Sequence, residues 1–180
     1  DAIARVEPDA IVTVDGTRHE CDVLILSTGF RATEYLSAID VRGRDGVALV
    51  DEWNDGAVAW LGIATSGFPN LFQLYGPNTN NGSIIYMLEC QVDLIVRELQ
   101  RMDVERLAWI DLRPEVQAAY NDEVQERIAS IGPWAGDGCS NYYRSESGRV
   151  VTQCPFGMAE YRARTLAVDD AAVWDSALRA

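Results

Sequence analysis

No stretch of this sequence approaches the ~20 consecutive apolar residues that a membrane-spanning helix requires, so no membrane span is expected. The first residues, Asp1-Ala2-Ile3-Ala4-Arg5, have no basic start followed by an apolar stretch, which excludes a secretory signal there. An initiator Met is also missing, and the chain is expected to begin inside a longer polypeptide. Histidine is nearly absent: the single His19 follows Thr17-Arg18 in a polar turn and is given no ligand role. The four cysteines, Cys21, Cys90, Cys139 and Cys154, form no C-x-x-C pair and lie near no His cluster. That argues against zinc and for reduced thiols in a cytoplasmic protein. Positive charge is scarce as well, with 15 basic against 28 acidic residues and a net charge of −13. So acidic a surface repels phosphate backbones, and nucleic acid is a poor candidate partner. An anionic cofactor meets the same field, but one Arg or one helix N-terminus outweighs it locally.

What the chain does have is an attainable core: 48% of its 180 residues are hydrophobic, which argues against disorder. Short β-prone runs at 3–6 and 11–14 flank Glu7-Pro8-Asp9-Ala10 and predict a hairpin, with Asp15-Gly16 as a second turn. The run from Cys21 to Ser27 is apolar without alternation, which predicts a strand buried on both faces in a parallel sheet. It stops at Thr28-Gly29-Phe30, where Gly29 permits a positive φ or a close backbone approach. Strands are also expected over 58–63 and 71–74. Ile84, Leu88, Val92, Ile95 and Leu99 recur at helical spacing and predict a helix over 83–101, capped by Asn81 or Ser83 and packing that stripe inward. A second helix is expected over 114–131, with Val116, Tyr120, Val124 and Ile128 on its core face. Asp111 is its expected cap, Pro114 lies in its first turn and Gly132-Pro133 ends it. The rest reads as loop-rich and aromatic.

On physical grounds the loop 76–83 is the place to look for chemistry. It joins a strand candidate to the strongest helix, and a helix N-terminus offers aligned N–H donors to an anion or a carbonyl oxygen. By itself such a Gly/Asn loop is also an ordinary connector. Sequence motifs add to this. Asp22-Val23-Leu24-Ile25-Leu26-Ser27-Thr28-Gly29-Phe30 resembles the D-x-x-x-x-A-T-G-[FY] segment of flavoproteins with two dinucleotide-binding domains, with Ser27 in place of Ala. Gly67-Phe68-Pro69-Asn70-Leu71-Phe72 followed by Gly76-Pro77-Asn78 is more specific and resembles the flavin monooxygenases of the Baeyer–Villiger branch. The tail agrees: Gly138-Cys139-Ser140-Asn141-Tyr142-Tyr143, Gly148-Arg149, Pro155 and Tyr161 are similar to that branch's C-terminal segment, although many relatives carry Trp where Tyr142 stands. No G-x-G-x-x-G occurs, nor the branch's F-x-G-x-x-x-H-x-x-x-[WF] fingerprint. The resemblance places both, and the family's catalytic Arg, upstream of the matched segment.

The resemblance implies an α/β fold, the C-terminal part of a two-dinucleotide-binding-domain flavoprotein that lacks both glycine-rich phosphate loops. Residues 1–27 would end the NADPH-binding domain, 28–105 would be the returning part of the FAD-binding domain, and 106–180 a helical and loop extension. It implies an FAD- and NADPH-dependent enzyme that inserts one oxygen of O2 into a ketone or oxygenates nitrogen or sulfur. The upstream FAD- and NADPH-binding segments would be its partners and a small organic molecule its substrate, with the isolated chain inactive. Thr28, Gly29, Gly76, Pro77, Asn78, Gly82 and Ser83 are the implied cofactor-binding residues. Tyr142 and Tyr143 are the implied substrate or nucleotide pocket, and no catalytic residue lies within the chain. The alternatives are a noncatalytic interaction domain on the same scaffold, or a flavin-dependent oxidoreductase of the disulfide reductase or amine oxidase type. Phe68, Phe72, Tyr75, Trp53 and Trp60 are expected to be core, Arg144 and Arg149 surface charges, and Glu89 and Asp93 parts of a wet helix face.

Overall fold

The computed structural model describes residues 2–27, 29, 31–135, 143–145 and 147–179. They fall into two units, Asp1–Phe30 and Arg31–Ala180.

The first unit is a three-stranded antiparallel sheet, β1 (Ile3–Glu7), β2 (Ala10–Thr13) and β3 (Arg18–Glu20), in that order. The expected hairpin is present, with Glu7 opposite Ala10 across the Pro8-Asp9 turn. The Asp15-Gly16 turn is fixed by the Asp15 carboxylate, which accepts from Thr13 Oγ1 at 2.5 Å and from the Thr17 amide at 3.0 Å. Gly16 supplies the positive φ of +86°. The strand expected from Cys21 to Ser27 does not form. This stretch has no regular structure, and Ile25 and Leu26 are 80% and 76% exposed. A parallel strand pairs only with strands delivered by crossover connections, and no described strand of this chain lies beside it. An apolar run without such neighbours cannot satisfy its backbone as a strand.

The second unit is a mixture of helices and strands around one main core. A short α1 (Leu49–Glu52) precedes the long α2 (Ile84–Val104), then β4 (Leu107–Leu112), α3 (Pro114–Ala129), α4 (Gly132–Ala135), α5 (Met158–Leu166), α6 (Asp170–Val173) and β5 (Trp174–Leu178). Strands β4 and β5 pair antiparallel, with Leu107 opposite Leu178 and Leu112 opposite Trp174. Helix α2 lies against α5 and β4. The core gathers Met87, Cys90 and Leu94 of α2, Ile110 and Leu112 of β4, Tyr120, Val124 and Ile128 of α3, with Phe156, Tyr161 and Trp174. Trp174 makes edge contacts with Trp60 at 5.5 Å and Phe72 at 6.2 Å, so these rings are packing residues as expected. Phe68 and Trp53 sit in a smaller cluster with Leu49 and Ala57. Tyr75 departs from its expected core role and is 42% exposed.

Several local expectations are corrected. Residues 58–63 and 71–74 form no strand: 71–74 are irregular, and Leu61 and Gly62, at φ +52° and +65°, turn the chain back so that the Trp60 amide donates to Ala64 O at 2.8 Å. Helix α2 is present and Ser83 caps it, its Oγ accepting from the Tyr86 amide at 3.3 Å, but the face it buries is rotated. Met87, Cys90, Gln91, Leu94, Glu98 and Met102 point inward, while Val92 and Leu99 of the expected stripe are 42% and 50% exposed. Asp111 does not cap α3; the residue before that helix is Arg113, and no side chain caps it. Asp111 lies in β4, where its carboxylate accepts from Arg44 Nε at 2.6 Å and from the Gly67 amide at 3.0 Å. The tail, expected to be loop-rich, supplies α5, α6 and β5.

Candidate functional site

Two residues of the loop 76–83 adopt left-handed backbone, Asn78 at φ +57° and Gly82 at +58°, as does Tyr75 just before it at +56°. Asn tolerates this region better than most side chains, and Gly without penalty. Gly76, Pro77, Asn78 and Thr79 are buried, whereas Gly82 and Ser83 are exposed. The loop therefore has an inner half that is framework and an outer edge that opens at the first turn of α2.

The inner half is stitched on two sides. Along one side runs the segment from Val150 to Cys154. The Asn78 amide donates to Val151 O at 2.9 Å and the Asn80 amide to Thr152 O at 2.8 Å. The Asn78 side chain, fully buried, donates from Nδ2 to Val150 O at 2.9 Å and to Gln153 O at 3.0 Å. Asn81 Nδ2 adds a bond to Cys154 O at 2.9 Å. On the other side lies the turn at Leu61-Gly62. The Gly76 amide donates to Gly62 O at 3.2 Å, and a Cβ at Gly76 would stand 2.4 Å from that oxygen, so only glycine fits the approach. Thr79 Oγ1 closes the loop on Gly76 O at 2.6 Å.

The outer edge is the exposed start of α2 at Gly82 and Ser83. Amides in the first turn of an α-helix have no intrahelical acceptor, and Ser83 Oγ accepts from one of the amides that follow it. A Cβ on Gly82 would stand 3.1 Å from the side chain of Met158, which would have to shift by a few tenths of an ångström to admit it.

The remaining expected site residues are distributed as follows. Gly29 is exposed with φ +76° and belongs to the first unit, while Thr28 and Tyr142 lie outside the described residues. Tyr143 is half-buried, and its carbonyl accepts from the Val151 amide at 3.1 Å, which ties it to the segment that pins the loop. Arg149, expected on the surface, is half-buried beneath that segment; its Nη2 donates to Asn121 Oδ1 at 2.9 Å, and burial lowers its pKa. Arg144 donates to Gly148 O at 2.6 Å and to Trp134 O. Among the described residues Cys21, Cys90 and Cys154 are free thiols, as expected. Burial pushes the Cys154 thiol up to about 11 and raises that of Cys90, so neither is primed as a thiolate.

The residues missed in the sequence are the polar ones that work from inside. Gln91 is fully buried on α2 and reaches the loop directly, and Tyr161 backs it from α5. Their signal was weak: one of two Gln in a helix that also carries charged residues, and one Tyr in a motif match.

No protein-family model matches the sequence. Individual proteins do. A Baeyer–Villiger monooxygenase of Pseudomonas aeruginosa is 36% identical over 175 residues, which is 96% of this chain and 33% of that protein. The FAD-binding monooxygenase ktnD of Aspergillus niger is 35% identical over 166 residues, 89% of this chain and 27% of its own length. Among solved structures, the closed form of cyclohexanone monooxygenase superposes with a TM-score of 0.78 at 28% identity, over 98% of this chain and 34% of that one. The chain corresponds to about one third of a Baeyer–Villiger-type monooxygenase. An oxidized steroid monooxygenase bound to NADP superposes equally over 98% of this monooxygenase segment, with a TM-score of 0.77 at 26% identity. A match over 98% of the chain leaves out too few residues to miss either the loop 76–83 or the pinning segment 150–154.

Proposed function

We propose that this segment forms the flavin-facing edge of an FAD- and NADPH-dependent monooxygenase that inserts one oxygen of O2 into a ketone, or oxygenates nitrogen or sulfur. The observation that carries the reading is the loop 76–83, clamped from two sides and left open only at Gly82 and Ser83, at the N-terminus of α2. Bound FAD would supply the redox chemistry and the activation of O2. Gly76, Pro77 and Asn78 give the cofactor loop its shape. The backbone around Gly82 and Ser83 donates to a carbonyl on the ring edge and favours negative charge there. Thr28 and Gly29 contact FAD or serve as the hinge between dinucleotide-binding domains, and Tyr142 with Tyr143 closes a pocket for substrate or nicotinamide nucleotide. In this reading residues 1–27 end the NADPH-binding domain, 28–105 return the chain to the FAD-binding domain, and 106–180 extend it.

The partners are the further segments of the same polypeptide, and one feature of α2 supports this. Ile85, Val92, Val96 and Leu99 form an exposed apolar stripe opposite the buried face. A helix that is apolar on both sides is characteristic of a protein interior.

The test is an exchange. This chain replaces the matched third of the Pseudomonas aeruginosa Baeyer–Villiger monooxygenase, and the hybrid is purified and assayed. The expected result is a yellow protein with bound FAD that consumes O2 and NADPH in the presence of a ketone. A folded but colourless hybrid overturns the reading.

A further inference from the structure

We infer that Gln91 is a positioning residue for the loop 76–83, holding it from behind through a buried hydrogen-bond junction; as a statement about the flavin edge this rests on the function proposed above. The side chain is completely buried in α2, a place where an amide survives only if its donors and acceptor are met. They are. Oε1 accepts from the Tyr75 amide at 3.0 Å, and Nε2 donates to Leu61 O at 3.1 Å and to the Tyr161 hydroxyl at 3.0 Å. The Tyr161 hydroxyl in turn donates to Leu61 O at 2.6 Å.

The orientation of the amide is fixed by its partners. A backbone N–H can only donate and a backbone carbonyl can only accept, so Oε1 must face Tyr75 and Nε2 must face Leu61. Asparagine offers the same two functions from one planar amide but is shorter by a methylene. A Glu would keep the acceptor for Tyr75 but would turn a second oxygen on Leu61 O and bury a charge.

What the junction joins is specific. Tyr75 is the left-handed residue just before the loop, and Leu61 is the left-handed residue of the turn on which the loop rests. Gly62 lies between them, so close to the loop that a Cβ there would stand 2.2 Å from Thr79 Cγ2 and 3.3 Å from Gln91 Nε2. Gln91 thus fixes the spacing of loop and turn while lying two helical turns from the exposed edge at Gly82 and Ser83. It touches no ligand itself and acts through the backbone of Tyr75.

Hydrogen–deuterium exchange on the full 180-residue chain tests the positioning itself. In Gln91→Leu the amides of Tyr75 and Gly76 exchange at least about tenfold faster, the loss expected for one buried hydrogen bond, while those of α3 keep their rates. Tyr161→Phe removes the neighbouring hydroxyl but leaves the bond to Tyr75, and the same amides stay within about twofold of the parent. Gln91→Met, which keeps the length of the side chain, repeats the measurement if the Leu variant does not fold. Unchanged exchange at Tyr75, an equal response in Tyr161→Phe, or failure of both Gln91 variants to fold overturns the inference and leaves Gln91 a core residue. The flavin arm uses the hybrid enzyme. There Gln91→Met keeps FAD but shifts the flavin absorption spectrum and slows reduction by NADPH about tenfold, and an unaltered spectrum and rate refute the role at the flavin. A colourless unsubstituted hybrid counts against the functional reading alone, since the exchange measurement judges Gln91 without it.

Discussion

Single residues carry much of the geometry, and two of them make sharp predictions. Asn78 combines a left-handed backbone with two side-chain bonds to carbonyls in the interior. Asn78→Ala loses both bonds and puts a Cβ-bearing, non-polar residue at φ +57°, for a total cost of about 2–4 kcal/mol. Asn78→Gly loses the same bonds but relieves the backbone, so it is expected to be about 1 kcal/mol less damaging. Urea unfolding of the two variants reads the difference, and an equal loss in both refutes the strain. Glu98 is the second case. Its carboxyl is fully buried, and burial, with a hydrogen bond that the protonated carboxyl donates to the neighbouring Asp170, pushes its pKa up to about 6 against the opposing pull of Arg101. A carboxyl whose folded pKa is raised binds its proton more tightly in the folded state. Its contribution is therefore complete below about pH 4.5 and is lost as the pH rises through 6. Stability is expected to fall between pH 5 and pH 8 by about 1 kcal/mol from this group. Glu98→Gln, which mimics the neutral form, flattens that slope and is the more stable protein at pH 8. Unfolding curves at the two pH values check the sign.

At the scale of elements, legibility followed the range of the interactions. The hairpin of β1 and β2 is local: a turn sequence and alternating residues define it, and it was readable. Helix α2 was readable in position and cap because Ser83 and the 3.6-residue spacing act within the helix itself. Its orientation was not, since both faces are apolar and the truly buried one includes Gln91 and Glu98, which a hydrophobic pattern discounts. The same applies to β4, whose buried Asp111 interrupts the apolar run, and to β5, which pairs with it from 60 residues or more along the chain. The motif Gly76-Pro77-Asn78 pointed to the loop, but nothing in it announced that Asn78 would serve as a clamp on residues 150–153. The facing of α2 gives a direct test. Leu94 is fully buried, and Leu94→Ala is expected to cost about 2–5 kcal/mol. The pair Val92→Gln and Val96→Gln, at 42% and 45% exposure, is expected to change stability by no more than about 0.5 kcal/mol per site while lowering binding of a hydrophobic dye. A large loss from the valine pair would mean that the face carrying Val92, a member of the stripe first read from the sequence, is packed after all.

For the whole molecule, the question is how much affinity for FAD these residues hold by themselves. The chain carries −13 net charge and no G-x-G-x-x-G turn, so it offers the pyrophosphate no glycine-lined cradle and repels it at long range. What it offers is an edge: the exposed Gly82 and Ser83 and the amides of one helix turn. Such an edge orients a ring that is already held elsewhere, since a few neutral hydrogen bonds worth about 1 kcal/mol each cannot offset the cost of immobilising a large ligand. The isolated chain is therefore expected to be colourless and to bind FAD with a Kd weaker than about 100 µM. At 100 µM FAD that limits the gain in stability to about 0.4 kcal/mol, which moves the Tm of a chain this size by no more than about 1–2 °C. Melting curves with and without FAD, followed by tryptophan fluorescence, measure it. A shift of several degrees, or protein that purifies with flavin attached, would mean that the loop 76–83 anchors the cofactor rather than merely facing it, and the hybrid enzyme would then lose its FAD, not only its rate, when Gly82 is changed to Val.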